Sequence, residues 1–188
     1  MEAALDLLSE RGEEGVSLRE VTDAADANVA AVSYHFGSLQ ALFDGAIEDA
    51  LERYLDSQQE AVGALGPEST LEEAAAAFAR PMISALTKGG RDRAAIRIVA
   101  RAAIDPPKGW KRFDARFDQI RADVVRVLRG KLSRVKTREL IFRVRCAAGM
   151  LNWLALAPVG AELSGMSEKQ AERLLAPIVA GAFRGTKP

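Results

Sequence analysis

The stretch SLREVTDAADANVAAVSYHFGSLQALF, residues 17–43, decides the fold of this chain. Ser17 can accept hydrogen bonds from the free amides of a helix that begins after it, and Glu20 can reach back to it, which is a capping box. A few residues later, Asn28 can cap a second short helix that ends near Phe36. Two short helices joined by a tight turn predict a helix-turn-helix, a motif whose second helix can enter the DNA major groove.

The rest of the chain repeats its apolar residues at helical spacing and shows no strand-like alternation. A long helix is expected from Ser38 to about Ala64, followed by helices that begin near Thr70, 91, 110, 137 and Ser167. The sequence therefore predicts an all-α fold of about nine helices. We expect a DNA-binding domain at 1–45 and a second helical domain at 46–188.

Composition excludes several classes of protein. The chain has 188 residues, of which 48% are hydrophobic, as in ordinary globular domains. No apolar run is long enough to span a membrane, and the first residues lack the basic and apolar regions of a signal peptide, so a cytoplasmic location is expected. Cys146, the single cysteine, lies in an apolar run and is predicted to be a small buried hydrophobe.

Charge poses a problem for a DNA-binding interpretation. Residues 1–45 contain two basic residues, Arg11 and Arg19, against nine acidic ones, a net charge of −7. Proteins that bind DNA normally owe much of their affinity to Lys and Arg side chains that neutralise phosphates. Either basic residues that precede Met1 complete the DNA-facing surface, or binding relies on amides, hydroxyls and helix N-termini, which donate to phosphate without a full charge.

The segment ALDLLSERGEEGVSLREVTDAADANVAAVSYHFGSLQALFDGAI resembles the tetracycline-repressor (TetR) family of bacterial transcriptional regulators. The resemblance includes Gly12, Gly15, the block from Ser17 to Val21, and the YHFGS and ALF segments that follow. It covers about the first 50 residues, and the first helix looks truncated. Beyond them, the chain resembles the family only in architecture, which implies a helical domain that binds a small molecule and forms a homodimer.

The resemblance implies a role for each matching position in binding a double-stranded DNA operator. Ser17 and Arg19 fall where the start of the second helix touches phosphate or a base edge, and Asn28 falls at the groove entrance. The other implied contacts lie on the recognition helix: Val29, Ala30, Ala31, Ser33, Tyr34 and His35. Two positions depart from the family pattern, because Ser33 replaces an aromatic residue and Leu39 stands where a phosphate-binding lysine is common.

The second domain should hold a largely apolar effector between its middle helices. The aromatic and Met residues concentrated there are candidates for the pocket: Phe78, Met82, Trp110, Phe113, Phe117, Phe142, Met150 and Trp153. Arg143 and Arg145 are expected on a solvated or ion-paired face, with the alternative of a buried arginine that orients an acidic effector. The two last helices should pair with their symmetry mates through a stripe formed by Leu140, Val144, Ala148, Leu151, Leu174, Leu175, Ile178 and Ala182.

No catalytic pattern is visible in the sequence. The chain has no glycine-rich phosphate loop and no GxSxG motif, and its single histidine, His35, cannot build a multi-histidine metal site. We expect no cofactor, no metal and no enzymatic activity. Two alternatives stay open: a helical binding or scaffolding protein that has lost DNA binding, and a helical enzyme that uses carboxylates in its apolar cavity.

Overall fold

The computed structural model describes residues 1–107 and 110–185, so positions 108–109 and 186–188 of the predicted second domain lie outside it. The regular structure of the described residues is helical, without strands, and the all-α prediction is confirmed. They form nine α-helices: α1 (Glu2–Arg11), α2 (Leu18–Ala24), α3 (Val29–Phe36), α4 (Leu39–Gly63), α5 (Leu71–Lys88), α6 (Gly90–Ile104), α7 (Lys111–Lys131), α8 (Thr137–Leu156) and α9 (Glu168–Arg184). Two 3-10 segments, Glu13–Gly15 and Pro158–Leu163, were not predicted.

Side-chain caps explain why several helices begin where the sequence predicts. The Ser17 oxygen accepts from the Glu20 amide, and the Asn28 oxygen accepts from the Ala30 amide. The same arrangement starts three later helices, at Ser38, Thr70 and Ser167. Each cap satisfies an amide that has no partner within its own helix, so the signal is local and readable from sequence.

A small apolar core holds the first three helices together; we call α1–α3 and the start of α4 the head. Its core belongs mainly to these helices, but α6 contributes Ala94 and Ile98 to the same cluster. The opposite face of α6 supplies Ile96, Val99 and Ala100 to a second, larger core. The helices around that larger core form the body. Helix α6 is therefore shared by two cores, and the head packs against the body through it.

Solvent-exposed ion pairs also connect the head and the body, and pairs of this kind contribute little stability. Arg91, at the start of α6, pairs with Glu2 of α1 at 2.5 Å and lies 3.8 Å from Asp49 of α4. Asp49 also pairs with Arg53 of the same helix at 2.9 Å. The domain boundary at 45/46 stays a prediction, because α4 passes through it without interruption.

Helices α8 and α9 run antiparallel, since Arg143 near the start of α8 donates to the Phe183 and Arg184 carbonyls at the end of α9. Cys146 on α8 is exposed, so its predicted burial is wrong. With residues 100° apart around a helix, Cys146 lies far from the buried row that contains Val144 and Leu151. No helix among the described residues is long and apolar enough to cross a membrane.

Candidate functional site

The end of the head opposite the body presents α2 and α3. A capping box fixes the start of α2: the Glu20 carboxylate accepts from the Ser17 amide at 2.8 Å and from the Ser17 hydroxyl at 2.7 Å. Arg11 of α1 donates to the other Glu20 oxygen at 2.7 Å. The hydrogen bonds from the Ser17 hydroxyl and amide, together with Arg11, lower the pKa of Glu20 to about 2. The carboxylate is thus ionised at neutral pH, and it ties α1 to α2.

Helix α3 packs on the head core through Val32 and the half-buried Phe36, and it exposes five of its eight residues. Val32 alone among its eight residues is buried. Ser33, His35 and Tyr34 are exposed, and the Tyr34 side chain is 85% accessible. The Tyr34 and His35 rings meet edge to face with centroids 4.9 Å apart. A helix held this way offers hydroxyl, imidazole and small apolar groups to a partner outside the chain.

The two arginines of the head, Arg11 and Arg19, differ in how firmly their side chains are held. Arg11 is engaged with Glu20, so its charge is partly neutralised. Arg19 on α2 is 89% exposed and lies 3.7 Å from Asp23, an exposed pair that contributes little stability. Arg19 can therefore turn outward from the head at little cost.

The body contains a cavity of about 330 Å³ between five helices. Its floor is formed by Tyr54 and Gln58 of α4 and by Phe78 of α5. Burial of the Tyr54 phenol raises its pKa to about 12, because the charged form is desolvated. Gln58 is buried, and its amide donates to the Phe78 carbonyl at 3.2 Å. The remaining lining residues come from α6, α7, α8 and the residue just before α7: Val99, Ala103, Trp110, Asp114, Phe117, Ile120, Arg121, Arg145, Ala148, Gly149, Leu151 and Asn152.

Sequence models of known protein families match two parts of the chain. A model described as bacterial regulatory proteins of the tetR family matches residues 1–46, and a model described as the tetracyclin repressor-like C-terminal domain matches residues 76–181. The chain belongs to the TetR family. The second match extends the likeness in sequence beyond the first 50 residues, where the sequence alone indicated only a shared architecture.

Individual relatives agree with this affiliation. The TetR chain is 32% identical over 73 residues to the probable HTH-type transcriptional regulator YttP of Bacillus subtilis (strain 168); the match covers 39% of this chain and 35% of that protein. Among solved structures, the TetR family transcriptional regulator PfmR from Thermus thermophilus shares the fold with a TM-score of 0.69 at 19% identity, covering 100% of this chain and 98% of that chain. A TetR-like transcriptional regulator from Rhodococcus sp. RHA1 gives 0.68 at 18% identity, covering 98% and 93%.

The structure divides the predicted pocket residues of this TetR chain into three groups. Phe78, Trp110 and Phe117 line the cavity. Met82 and Phe113 are buried in the body core, and Met150 is half-buried against it, so these three fill space between helices. Phe142 and Trp153 do not reach the cavity, because they lie on the exposed face of α8 and are 66% and 62% accessible.

Sequence reasoning missed the polar part of the cavity. Tyr54 and Gln58 are four residues apart on α4, and Arg145, Gly149 and Asn152 share one face of α8. A spacing of three, four or seven residues between polar side chains can be read from the sequence, but it occurs on every amphipathic helix. The packing of α4 and α8 around α7 is what places these polar faces in a cavity and not in solvent.

The predicted dimer stripe is also divided. Leu140, Val144 and Leu151 are at most 2% accessible and Leu175 is 8% accessible, so they belong to the core of their own chain rather than to its surface. Ala148 and Ala182 are half-buried. Leu174 and Ile178 are each 53% exposed, on the outer face of α9. On α8, burial within the chain thus takes Leu140, Val144 and Leu151 out of the stripe, and the outward apolar residues of this helix are Ile141, Phe142 and Trp153.

Proposed function

We propose that this TetR-family chain is a dimeric, cytoplasmic, DNA-binding transcriptional regulator, a repressor that a small-molecule effector releases from a palindromic operator. The observation that carries the proposal is α3, a capped helix that follows α2 after four residues and exposes five of its eight residues. Tyr34 is 85% accessible and Val29 is 45% accessible, so both side chains are available to a partner outside the chain.

The proposed contacts with DNA follow from the chemistry of the exposed groups. Arg19 is the one guanidinium on α2 and could fork onto a guanine or bind phosphate. Tyr34 and His35 donate to phosphate oxygens, and Val29 or Ala31 meets a thymine methyl group. Ser17, Asn28, Ala30 and Ser33 complete the contact surface. The amides at the start of α3 add a partial positive charge that compensates in part for the acidic head.

The outer faces of α8 and α9 support the proposed dimer. Phe142, Trp153, Leu174 and Ile178 are large apolar side chains that are more than half exposed within one chain. Since these two helices already pack against each other, their outer faces can combine with those of a second copy into a four-helix bundle. Such a dimer would present two α3 helices about 34 to 36 Å apart, one turn of DNA.

Two helices can carry an effector signal from the cavity to the head. Helix α4 begins in the head and supplies Tyr54 and Gln58 to the cavity floor. Helix α6 lines the cavity with Val99 and places the adjacent Ile98 in the head core. An effector shifts the equilibrium between DNA-binding and released arrangements only as far as its affinities for the two differ.

The test is binding of the full chain to a fluorescent duplex from its own upstream intergenic region, titrated against a scrambled duplex at several salt concentrations. We expect a specificity ratio above about a thousand and an affinity that falls steeply with salt. Arg19→Gln should weaken specific binding by roughly 1–3 kcal/mol if Arg19 reads a guanine. Arg134→Gln, which removes the same charge from the exposed loop between α7 and α8, is the control.

Equal binding to both duplexes, or none, would call for selection of sites from a genomic library. If selection also fails, the proposal is wrong. The acidic head would then favour a helical binding protein without a DNA partner.

A further inference from the structure

The two ends of the body cavity carry opposite charges. Arg121 and Asp114 both line it from α7 and are seven residues apart, which separates them by about 10 Å along the helix. Helices α7 and α8 are joined by a short loop and run antiparallel, so Arg145 of α8 lies level with Arg121, and Asn152 lies level with Asp114. The cavity therefore has a basic end, formed by two guanidiniums, and a polar end with one carboxylate.

The two arginines of the basic end differ in their ion pairing. Arg121 is ion-paired with Asp118, one turn away on α7, and its side chain is three-quarters buried. The hydrogen bond and charge of Arg121, with a smaller contribution from the charge of Arg145, lower the pKa of Asp118. One carboxylate thus faces two guanidiniums. Arg145 has no ion-pair or side-chain hydrogen-bond partner among residues 1–107 and 110–185.

Apolar groups surround the space between the two ends. Phe117, Ile120 and Leu151 lie along its length, and Phe78 and Val99 close the side toward α5 and α6. Trp110 stacks on Phe117 with ring centroids 5.2 Å apart. The body of a ligand here would lie against aromatic and aliphatic carbon, and the charged groups would meet it only at the two ends of the cavity.

From this arrangement we propose that the effector is an amphipathic carboxylic acid, whose alkyl or aryl body fills the apolar cavity and whose carboxylate is bound by Arg145 beside Arg121. This assignment rests on the proposed ligand-responsive function and names the chemical class that the same cavity takes. A guanidinium fork matches a carboxylate bidentately, and Arg145 has its donors available for that bond. Asp114 repels an anion at the far end and so sets the direction in which the acid enters.

The experiment compares each acid with its uncharged and cationic counterparts by calorimetry. The probes are decanoate, decanol and decylamine, together with 2-naphthoate and 2-naphthalenemethanol. A Trp153→Phe parent leaves Trp110 as the single tryptophan, so a change in its fluorescence reports a ligand beside Trp110. We expect each acid to bind at least about tenfold more tightly than its alcohol, because a hydrogen bond to a charged group forms only with the acid.

Variants assign the preference to the arginine. Arg145→Gln should remove the advantage of acid over alcohol while the alcohol binds as before. Arg145→Lys should retain part of it, since an ammonium keeps the charge without the fork. Arg134→Gln serves as the matched control and should keep the full advantage. Arg145 is exposed at the cavity mouth, so its replacement leaves the core intact.

Several outcomes would overturn the assignment: equal binding of acid and alcohol, tightest binding of the amine, no binding of any probe, or an unchanged preference in Arg145→Gln. Duplex binding, measured separately, distinguishes this failure from failure of the proposed function. Specific DNA binding without an acid preference rejects the ligand class alone. An Arg145-dependent acid preference without specific DNA binding rejects the regulator and keeps the ligand class.

Discussion

At the scale of single residues, Glu20 joins three parts of the head. Its carboxylate accepts from the hydroxyl and amide of Ser17 and pairs with Arg11, and these contacts hold its pKa near 2 in the folded chain. The ordinary value for a glutamate is about 4.3. A carboxyl whose pKa is depressed by folding stabilises the fold at neutral pH and loses that contribution as acid protonates it.

We therefore expect Glu20→Gln to be less stable than the parent chain at neutral pH, with a difference that shrinks as the pH falls from about 4.3 toward 2. Gln keeps an acceptor oxygen for Ser17, so the comparison isolates the charge. Thermal unfolding of both chains from neutral pH to acid measures the difference. Glu68→Gln, at an exposed loop position, is the control; a Glu20 effect that is equally large at every pH would contradict the prediction.

The residue scale also shows why the pocket and the dimer face were harder to predict than the caps. Ser17 and Asn28 bind amides within three residues of themselves, so their partners are fixed by the local sequence. Cys146 and Trp153 lie in an apolar run that continues around the whole circumference of α8. Which side of such a helix is buried depends on its neighbours, and these come from distant parts of the chain.

At the scale of elements, the end of α9 depends on a side chain from α8. Arg143 is largely buried, donates to the Phe183 and Arg184 carbonyls, and pairs with Glu139. These carbonyls belong to the last turn of α9, where they have no partner within the helix and where a positive charge is favourable. Arg143 thus adds to the hydrogen bond that the Gly185 amide donates to the Gly181 carbonyl at 2.9 Å, a glycine-based closure common at helix ends.

Replacing Arg143 by Met keeps the apolar stem of the side chain and removes its donors. We expect a loss of about 1.5–3 kcal/mol in the free energy of unfolding, the range for hydrogen bonds that involve charged groups. Urea unfolding measures it. Arg138→Met, at an exposed position of the same helix, should change stability by less than about 0.5 kcal/mol. Equal effects of the two substitutions would show that Arg143 does not hold α9.

The 3-10 segment that the sequence did not predict also depends on contacts with distant parts of the chain. Gly160, within Pro158–Leu163, is buried so close to α8 that a Cβ atom there would lie 2.2 Å from the Leu154 carbonyl oxygen. Only a glycine permits this approach. Pro158 and Gly160 are visible in the sequence, and the proline predicts the end of α8. The need for glycine at 160 depends on how the chain passes back toward α5, which the sequence does not show.

At the scale of the whole molecule, the exposed apolar face of α8 and α9 predicts the oligomeric state. We expect Ile178→Glu to convert the proposed dimer into a monomer, because burying two symmetry-related carboxylates in an apolar interface costs far more than the isoleucines contribute. Sedimentation velocity measures the mass, and circular dichroism checks that the helices persist. Operator affinity should fall with it, since a single head reads only half of a palindrome.

Ile104→Glu is the matched control. Ile104, at the end of α6, is equally apolar and is 69% exposed, but it lies outside the outer faces of α8 and α9. Its replacement should leave the mass unchanged. If both substitutions behave alike, or if the parent chain is already monomeric, the proposed dimer face is wrong.

The position of α6 in both cores limits how the protein can be rearranged. Ala94 and Ile98 complete the apolar cluster of the head although they follow α4 by about 30 residues. A chimaera that joins residues 1–63 to the body of another regulator would place Ala4, Leu5 and Leu8 against a foreign helix. The head therefore consists of two separate parts of the chain, its own helices and one face of α6. A graft that transfers the head to another regulator succeeds only if the residues of α6 that face α1 are transferred with it.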